Sequence, residues 1–226
     1  MKSAMESARN YLPAAGHDWF LPLYDPIVKL LGGEAARKEL LERAGLRPGN
    51  RVLDIGCGTG TLAMQMKRLY PHVEIVGIDP DPKALARARR KAASASASVQ
   101  LDRGFADELP YPERSFDHVF SSFMFHHLPA DVKEMTLREV RRVLKPGGAF
   151  HMLDFEGPED RKHGWLANLF HSNKRLHDNS EERVLLLMKQ AGFENAQKVG
   201  RRSMLFGGVA YYRAATNADS SNYLNR

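Results

Sequence analysis

The sequence predicts a doubly wound α/β fold, a three-layer arrangement with a mostly parallel sheet between helices, preceded by a helical cap. Three observations carry this. From Arg51 to Phe155, short β-rich runs alternate with helical patterns, and strands separated by helices of that length pair parallel, with right-handed crossovers covering both faces. The first strand runs into a glycine-rich turn, Gly56-Cys57-Gly58-Thr59-Gly60. After Ser180 the rhythm changes to one helix followed by two closely spaced β-like stretches, which predicts an antiparallel pair at the end of the sheet.

Each element has its own signal. Arg51-Val52-Leu53-Asp54-Ile55 is a compact apolar run that reads as a buried strand. Thr61 to Tyr70 places Leu62, Ala63, Met66, Leu69 and Tyr70 on one helical face, and Pro71 stops it. Val73 to Ile78 is the second strand, ending at Asp79. Pro82 to Ala93 is helical, since a proline in the first turn has no N–H to waste. Ser98 to Arg103 and Phe116 to Ser122 are the third and fourth strands. Val132, Met135, Val140, Val143 and Leu144 stripe a helix that Pro146-Gly147-Gly148 closes before a fifth strand, Ala149 to Phe155. Glu181 to Ala191 is a helix between Ser180 and Gly192, and the final pair is expected near Asn195 to Ser203 and Leu205 to Ala214.

The domain division follows. Residues 1–45 form a cap with helices near Leu23 to Leu31 and Glu34 to Ala44; residues 46–215 form the main domain; 216–226 are a polar tail. A basic, aromatic-bearing insertion occupies 156–179, with Trp165, Phe170, His163, His171 and His177.

Composition narrows the function classes. Cys57 is the only cysteine in 226 residues, so an intramolecular disulfide and a multi-cysteine metal site are excluded. No metal is expected. No apolar run approaches the roughly 18 residues of a spanning helix, and the first ten residues lack a secretory layout; the expectation is a soluble cytoplasmic protein. The net charge of +6 raises the question of anionic partners. The densest cluster, Arg87, Arg89, Arg90 and Lys91, has no interleaved aromatics and reads as a solvated helix face, as do Arg141-Arg142 and Arg201-Arg202. Nucleic acid is therefore not the expected partner, and the sequence leaves the oligomeric state open.

The chemistry concentrates at the strand ends. Glycines at three alternate positions after a strand allow a tight turn and close approach of a ligand, and a helix N-terminus suits an anionic group. A dinucleotide-binding loop would place its third glycine one position later, where this chain has Thr61. Asp79 ends the second strand 19 residues after Gly60, a position and type that fit a carboxylate receiving both ribose hydroxyls of a nucleoside. The competing reading is a helix N-cap, because Asp79 and Asp81 both precede the next helix. Asp107 follows the third strand with Phe105 and Ala106, placed to accept from an adenine amino group.

VLDIGCGTG, VGIDPDP, FADELPYPERSFDHVF, FHHLP and LREVRRVLKPGGAF together resemble successive motifs of the class I S-adenosylmethionine-dependent methyltransferases, nearest to the type 11 group that includes the ubiquinone and menaquinone C-methyltransferases. The resemblance is strong over about residues 46–156. It implies a seven-stranded sheet of order 3-2-1-4-5-7-6 with strand 7 antiparallel, S-adenosylmethionine as cofactor and S-adenosylhomocysteine as product. It further implies that Gly56, Gly58 and Gly60 border the methionine moiety, that Asp54 orients the loop and the amino group, and that Asp79 and its neighbour Pro80 meet the ribose. Ala106, Asp107 and Glu108 would edge the adenine, Phe123 would lie beneath the cofactor near the methyl, and Tyr24 of the cap would reach the carboxylate. Cys57 stands in the loop as small filler rather than as a nucleophile.

The expected reaction is in-line transfer of a methyl group to a small, partly hydrophobic acceptor. Orientation supplies about 7–11 kcal/mol in such reactions. A base is needed only if the acceptor must lose a proton; His126 and His127 follow the fourth strand and are the candidates, His126 first, with one of the two expected to pack under the next helix. Trp19, Phe20, Tyr24, Phe125, Trp165 and Phe170 are expected to make the acceptor space apolar. The alternatives are an RNA or protein methyltransferase using the basic surface, and a non-catalytic module that binds the cofactor or its product.

Overall fold

The computed structural model describes residues 32–156, 179–204 and 207–218. Its elements are α1 (Gly33–Ala44), β1 (Arg51–Ile55), α2 (Thr61–Leu69), β2 (Glu74–Asp79), α3 (Pro82–Ser94), β3 (Gln100–Arg103), β4 (Phe116–Ser122), a 3-10 turn (Phe125–His127), α4 (Ala130–Val143), β5 (Leu144–Phe155), α5 (Glu181–Gln190), β6 (Gln197–Met204) and β7 (Gly207–Ala215). The strands form one seven-stranded sheet of order β3-β2-β1-β4-β5-β7-β6. β1, β2, β3, β4 and β5 pair parallel, and β7 runs antiparallel to both β5 and β6. The expected order and the antiparallel seventh strand are both present.

Two apolar layers hold the sheet. Leu53, Ile55, Val76, Val119, Phe150 and Met152 pack against α4 and α5. On the opposite face Val52, Ile75, Phe120, Leu153 and Tyr211 pack against Leu40 and Leu41 of α1 and Leu62 and Met66 of α2. This split is the period-two alternation of buried strands: Val52 and Leu53 are neighbours in sequence and serve opposite layers. The cap helix α1 is thus part of the fold. Its Glu39 reaches the far end of the sheet, bonding Arg202 at 3.0 Å and the Tyr211 hydroxyl at 3.0 Å.

Several sequence expectations shift. The stripe assigned to the fourth long helix is off: Met135 is 42% exposed, and Lys133, Thr136 and Leu137 are buried instead. Leu144 belongs to β5, which begins there and not at Ala149. Phe116 pairs with Leu144, yet two residues later His118 pairs with Ala149, so Pro146-Gly147-Gly148 form an irregular bulge inside a strand. Leu69, placed on the buried face of α2, is 37% exposed. Phe125, expected to line the acceptor space, is fully buried in the core under the Lys133 ammonium. The cap helix near 23–31 and the insertion side chains lie outside the described residues, as do Trp19, Phe20 and Tyr24.

Candidate active site

Doubly wound sheets bind ligands outside the carboxyl ends of their strands, where the strand order reverses. Here the reversal lies between β1 and β4, and the residues singled out from the sequence gather at the ends of β1, β2 and β4. Gly56, Gly58 and Gly60 adopt φ of 64°, 53° and 76°, a left-handed conformation that is strained for residues with a Cβ. At Gly56 a Cβ would collide with Met124, whereas at Gly58 it would meet open space. Helix α2 starts at Gly60 without a side-chain cap.

Asp79 and Asp81 play different parts. Asp81 is the N-cap of α3, its side chain accepting from the Lys83 amide at 2.8 Å. Asp79 instead accepts from the Gly58 amide at 2.8 Å and the Asp81 amide at 2.9 Å, tying the end of β2 to the glycine loop. A carboxylate has about four acceptor positions, so these bonds leave it capacity for further donors. Burial pushes Asp79 up to about 6, against the pull of the two amides.

Asp54 lies deeper, opposite Gly77 and Phe120 in the neighbouring strands and 1% exposed. Its Oδ2 has no hydrogen-bond partner among the described residues. Burial pushes its carboxyl up to about 7; the Arg37 charge pulls it down and the Asp79 charge pushes it further up. Arg37, which the sequence reading did not single out, lies beside these residues. It comes from α1, is 6% exposed, donates from Nε to Ser122 Oγ at 3.3 Å, and holds its guanidinium 5.1 Å from the centre of the Phe123 ring. Phe123 itself is 6% exposed at φ 56°, a conformation costing roughly 1–3 kcal/mol in a non-glycine residue.

Cys57 is buried, and burial pushes its thiol well up. Its sulfur lies 2.9 Å from where a Cβ on Gly77 would stand, so it fills the space that Gly77 leaves. The Gly104–Tyr111 segment, with Ala106, Asp107 and Glu108, is held from behind. Arg142 donates to the Tyr111 and Leu109 carbonyls at 2.8 and 3.0 Å, and Glu139 accepts from the Leu109 amide at 2.8 Å. Arg142 is therefore an anchor and not the solvated charge expected of it. Pro80 contributes a carbonyl that accepts from Arg103 at 3.3 Å.

His126 meets a partner that the sequence reading did not name. Asp154, fully buried at the end of β5, accepts from His126 Nδ1 at 2.6 Å and from the His126 amide at 3.0 Å. Burial alone would raise its carboxyl, but the His126 charge and hydrogen bond and the Phe155 and His126 amides bring it below the ordinary range. With Nδ1 donating, the acceptor lone pair of a neutral ring is on Nε2. The His127 ring lies tilted against that of His126, with ring centres 3.9 Å apart. A nucleophile, or a base for one, oriented by a third group is the arrangement that proton-abstracting sites use.

The family model described as Methyltransferase domain matches residues 52–148. Demethylmenaquinone methyltransferase of Deinococcus radiodurans is 37% identical over 152 residues, covering 66% of this chain and 62% of that protein. The ubiquinone/menaquinone biosynthesis C-methyltransferase of Vibrio campbellii is 29% identical over 201 residues, covering 77% of each. Among solved structures, phosphoethanolamine N-methyltransferase 2 of Haemonchus contortus in complex with S-adenosylmethionine shares the fold at TM-score 0.71 and 18% identity, covering 83% of this chain and 53% of that one. The [4+2]-cyclase SpnF shares it at TM-score 0.67 and 21% identity, covering 82% and 81%. The fold therefore leaves the reaction undecided, whereas the sequence relatives are methyltransferases. The domain match and the sequence relatives together support a class I S-adenosylmethionine-dependent methyltransferase that resembles the ubiquinone and menaquinone C-methyltransferases.

Proposed function

We propose that this protein transfers the methyl group of S-adenosylmethionine, in line, to a small, partly hydrophobic acceptor that carries an ionisable hydroxyl on or beside the methylated position. The observation that carries the cofactor half is the pair of buried carboxylates, Asp54 and Asp79, on either side of the glycine loop, one of them with an unpartnered oxygen. A buried polar atom without a partner costs about 1–3 kcal/mol, and an ammonium group satisfies it. The residues fit the cofactor on that ground.

In this reading Asp54 receives the methionine ammonium and Arg37 the methionine carboxylate. Gly56, Gly58 and Gly60 let the backbone come close, and Asp79, beside Pro80, accepts from the ribose hydroxyls. Ala106, Asp107 and Glu108 edge the adenine, Cys57 packs the loop from below, and Phe123 forms the floor near the reacting carbon. Tyr24, outside the described residues, remains a second candidate for the carboxylate end. The cofactor supplies an electrophilic methyl on a sulfonium, so the chain need only hold the acceptor and manage its proton. His126 Nε2 takes that proton, and Asp154 holds the ring and stabilises the imidazolium that results.

The acceptor class rests on the dyad and on the relatives, two of which are named for quinone methylation. A hydroquinone-type ring is apolar, planar and carries acidic hydroxyls, and losing one proton raises the electron density at its carbons. Calorimetry with S-adenosylmethionine tests the first half. Transfer of labelled methyl from the cofactor to a demethylated hydroquinone, against a simple amine, tests the second. Cofactor binding without transfer to any hydroxyl-bearing ring would refute the acceptor assignment and leave the cofactor assignment standing.

A further inference from the structure

From Pro82 to Gln100 the chain carries five cations and no acidic side chain. At 3.6 residues per turn, Lys83, Arg87, Arg90 and Lys91 fall on one side of α3. The residues α3 buries, Ala84, Leu85, Ala88 and Ala92, fall on the other. On that stripe Lys83 and Arg90 are exposed and Arg87 and Lys91 half-buried. Arg87 and Arg90 pair with no acidic side chain among the described residues, and Arg90 is exposed. The stripe also adjoins the crevice at two places. Lys91 donates to the Thr59 and Thr61 hydroxyls at 3.0 and 3.1 Å, beside the glycine loop. Arg103, exposed on β3, donates to the Pro80 carbonyl at 3.3 Å.

We infer that the outer face of α3 docks the protein on an anionic phospholipid surface. The stripe is helical and free of aromatic side chains. Single-stranded nucleic acid is held by aromatic stacking platforms set in a basic groove, and α3 has neither. A lipid surface asks only for a cluster of positive charge, about 1 kcal/mol per Lys or Arg held near it. The choice of lipid rests in part on the proposed reading, because a partly hydrophobic acceptor partitions into a bilayer and a docked enzyme meets it there. No helix among the described residues is long and apolar enough to cross a membrane, so the contact is peripheral and electrostatic.

The test is flotation of the full chain with phosphatidylcholine vesicles, with and without phosphatidylglycerol, at low and high salt, beside a mixed-sequence RNA. Binding is expected only with phosphatidylglycerol present, and lost at high salt. The double variant Arg87→Gln, Arg90→Gln should weaken vesicle binding about 30-fold, the equivalent of two surface charges at about 1.4 kcal/mol per tenfold. Its affinity for S-adenosylmethionine, measured by calorimetry on the same samples, should be unchanged, since neither arginine is among the residues assigned to the cofactor. No flotation, equal flotation with neutral vesicles, full binding by the double variant, or tighter binding to RNA than to vesicles would each overturn the inference. None of these bears on cofactor binding, so the catalytic reading fails or survives separately.

Discussion

His126 and Asp154 are joined twice, side chain to side chain at 2.6 Å and amide to side chain at 3.0 Å. The double attachment fixes the ring's tautomer and also the turn that carries it. Positioned general bases contribute roughly 10²–10⁴-fold. His126→Ala should therefore lower kcat by about 100-fold or more, and Asp154→Asn by about 10–100-fold, with cofactor affinity within a few-fold of the parent. A packing role alone predicts no change in the shape of the pH–rate profile. Loss of the rising limb in both variants separates catalysis from packing.

Arg37 gives a second expectation. It is the cation whose charge pulls on the buried Asp54 carboxyl, and it reaches Ser122 and Phe123 from the cap helix. Arg37→Met keeps much of the packing and removes the charge, so cofactor affinity should fall by about 1–3 kcal/mol, while Arg37→Lys recovers part of it. If Arg37→Met binds S-adenosylmethionine as the parent does, the carboxylate assignment goes to Tyr24.

The two buried carboxylates set a pH dependence. Asp54 stands at about 7 and Asp79 at about 6, both raised by burial above an ordinary 3.8. The folded chain thus holds these protons more tightly than the unfolded chain does. Their stabilising contribution is complete below about pH 4 and is lost as pH rises through about 6 and 7. Unliganded protein should show a falling Tm from pH 5 to pH 8, and Asp54→Asn should flatten the fall. Cofactor affinity should run the other way, because in the proposed reading Asp54 receives an ammonium as a carboxylate: below pH 7 the Kd should weaken by up to about tenfold per unit. A Tm that stays level from pH 5 to 8 in the unliganded protein would show that Asp54 is ionised without a ligand.

Much of this site was legible because its chemistry is local. The glycine loop, Asp79 and the histidine pair each sit within a few residues of a strand end, and strand ends show as breaks in apolar runs. The Asp79–Asp81 ambiguity was not resolvable that way: both precede α3, and only the structure shows Asp81 capping the helix while Asp79 turns back to Gly58. Arg37 and Asp154 were missed for a different reason. Their partners, Ser122 and His126, are 85 and 28 residues away in sequence, and no periodicity encodes such a meeting. Asp154 did leave a trace, an acidic residue in the apolar run His151-Met152-Leu153-Asp154-Phe155, in the same setting as Asp54 in β1. Pro146-Gly147-Gly148 misled because helix-stopping residues also make strand bulges, and pairing with β4 decided between them.

The same loop offers a paired substitution that separates fold from ligand. Gly56 and Gly58 both have positive φ, so alanine strains either backbone by about 1 kcal/mol. Their surroundings differ. A Cβ on Gly56 runs into Met124, two residues before His126 in the turn that presents the dyad; a Cβ on Gly58 points into open space. Gly56→Ala must displace Met124 and should cost a further 1–3 kcal/mol of overpacking, lowering both Tm and kcat. Gly58→Ala should leave Tm within the strain term yet weaken S-adenosylmethionine binding, because the space it enters is where the cofactor lies in the proposed reading. Thermal melts and calorimetry on the two variants read these effects independently. If Gly58→Ala binds the cofactor with parental affinity, that open space is not the methionine site, and the placement of the ligand over the loop is wrong.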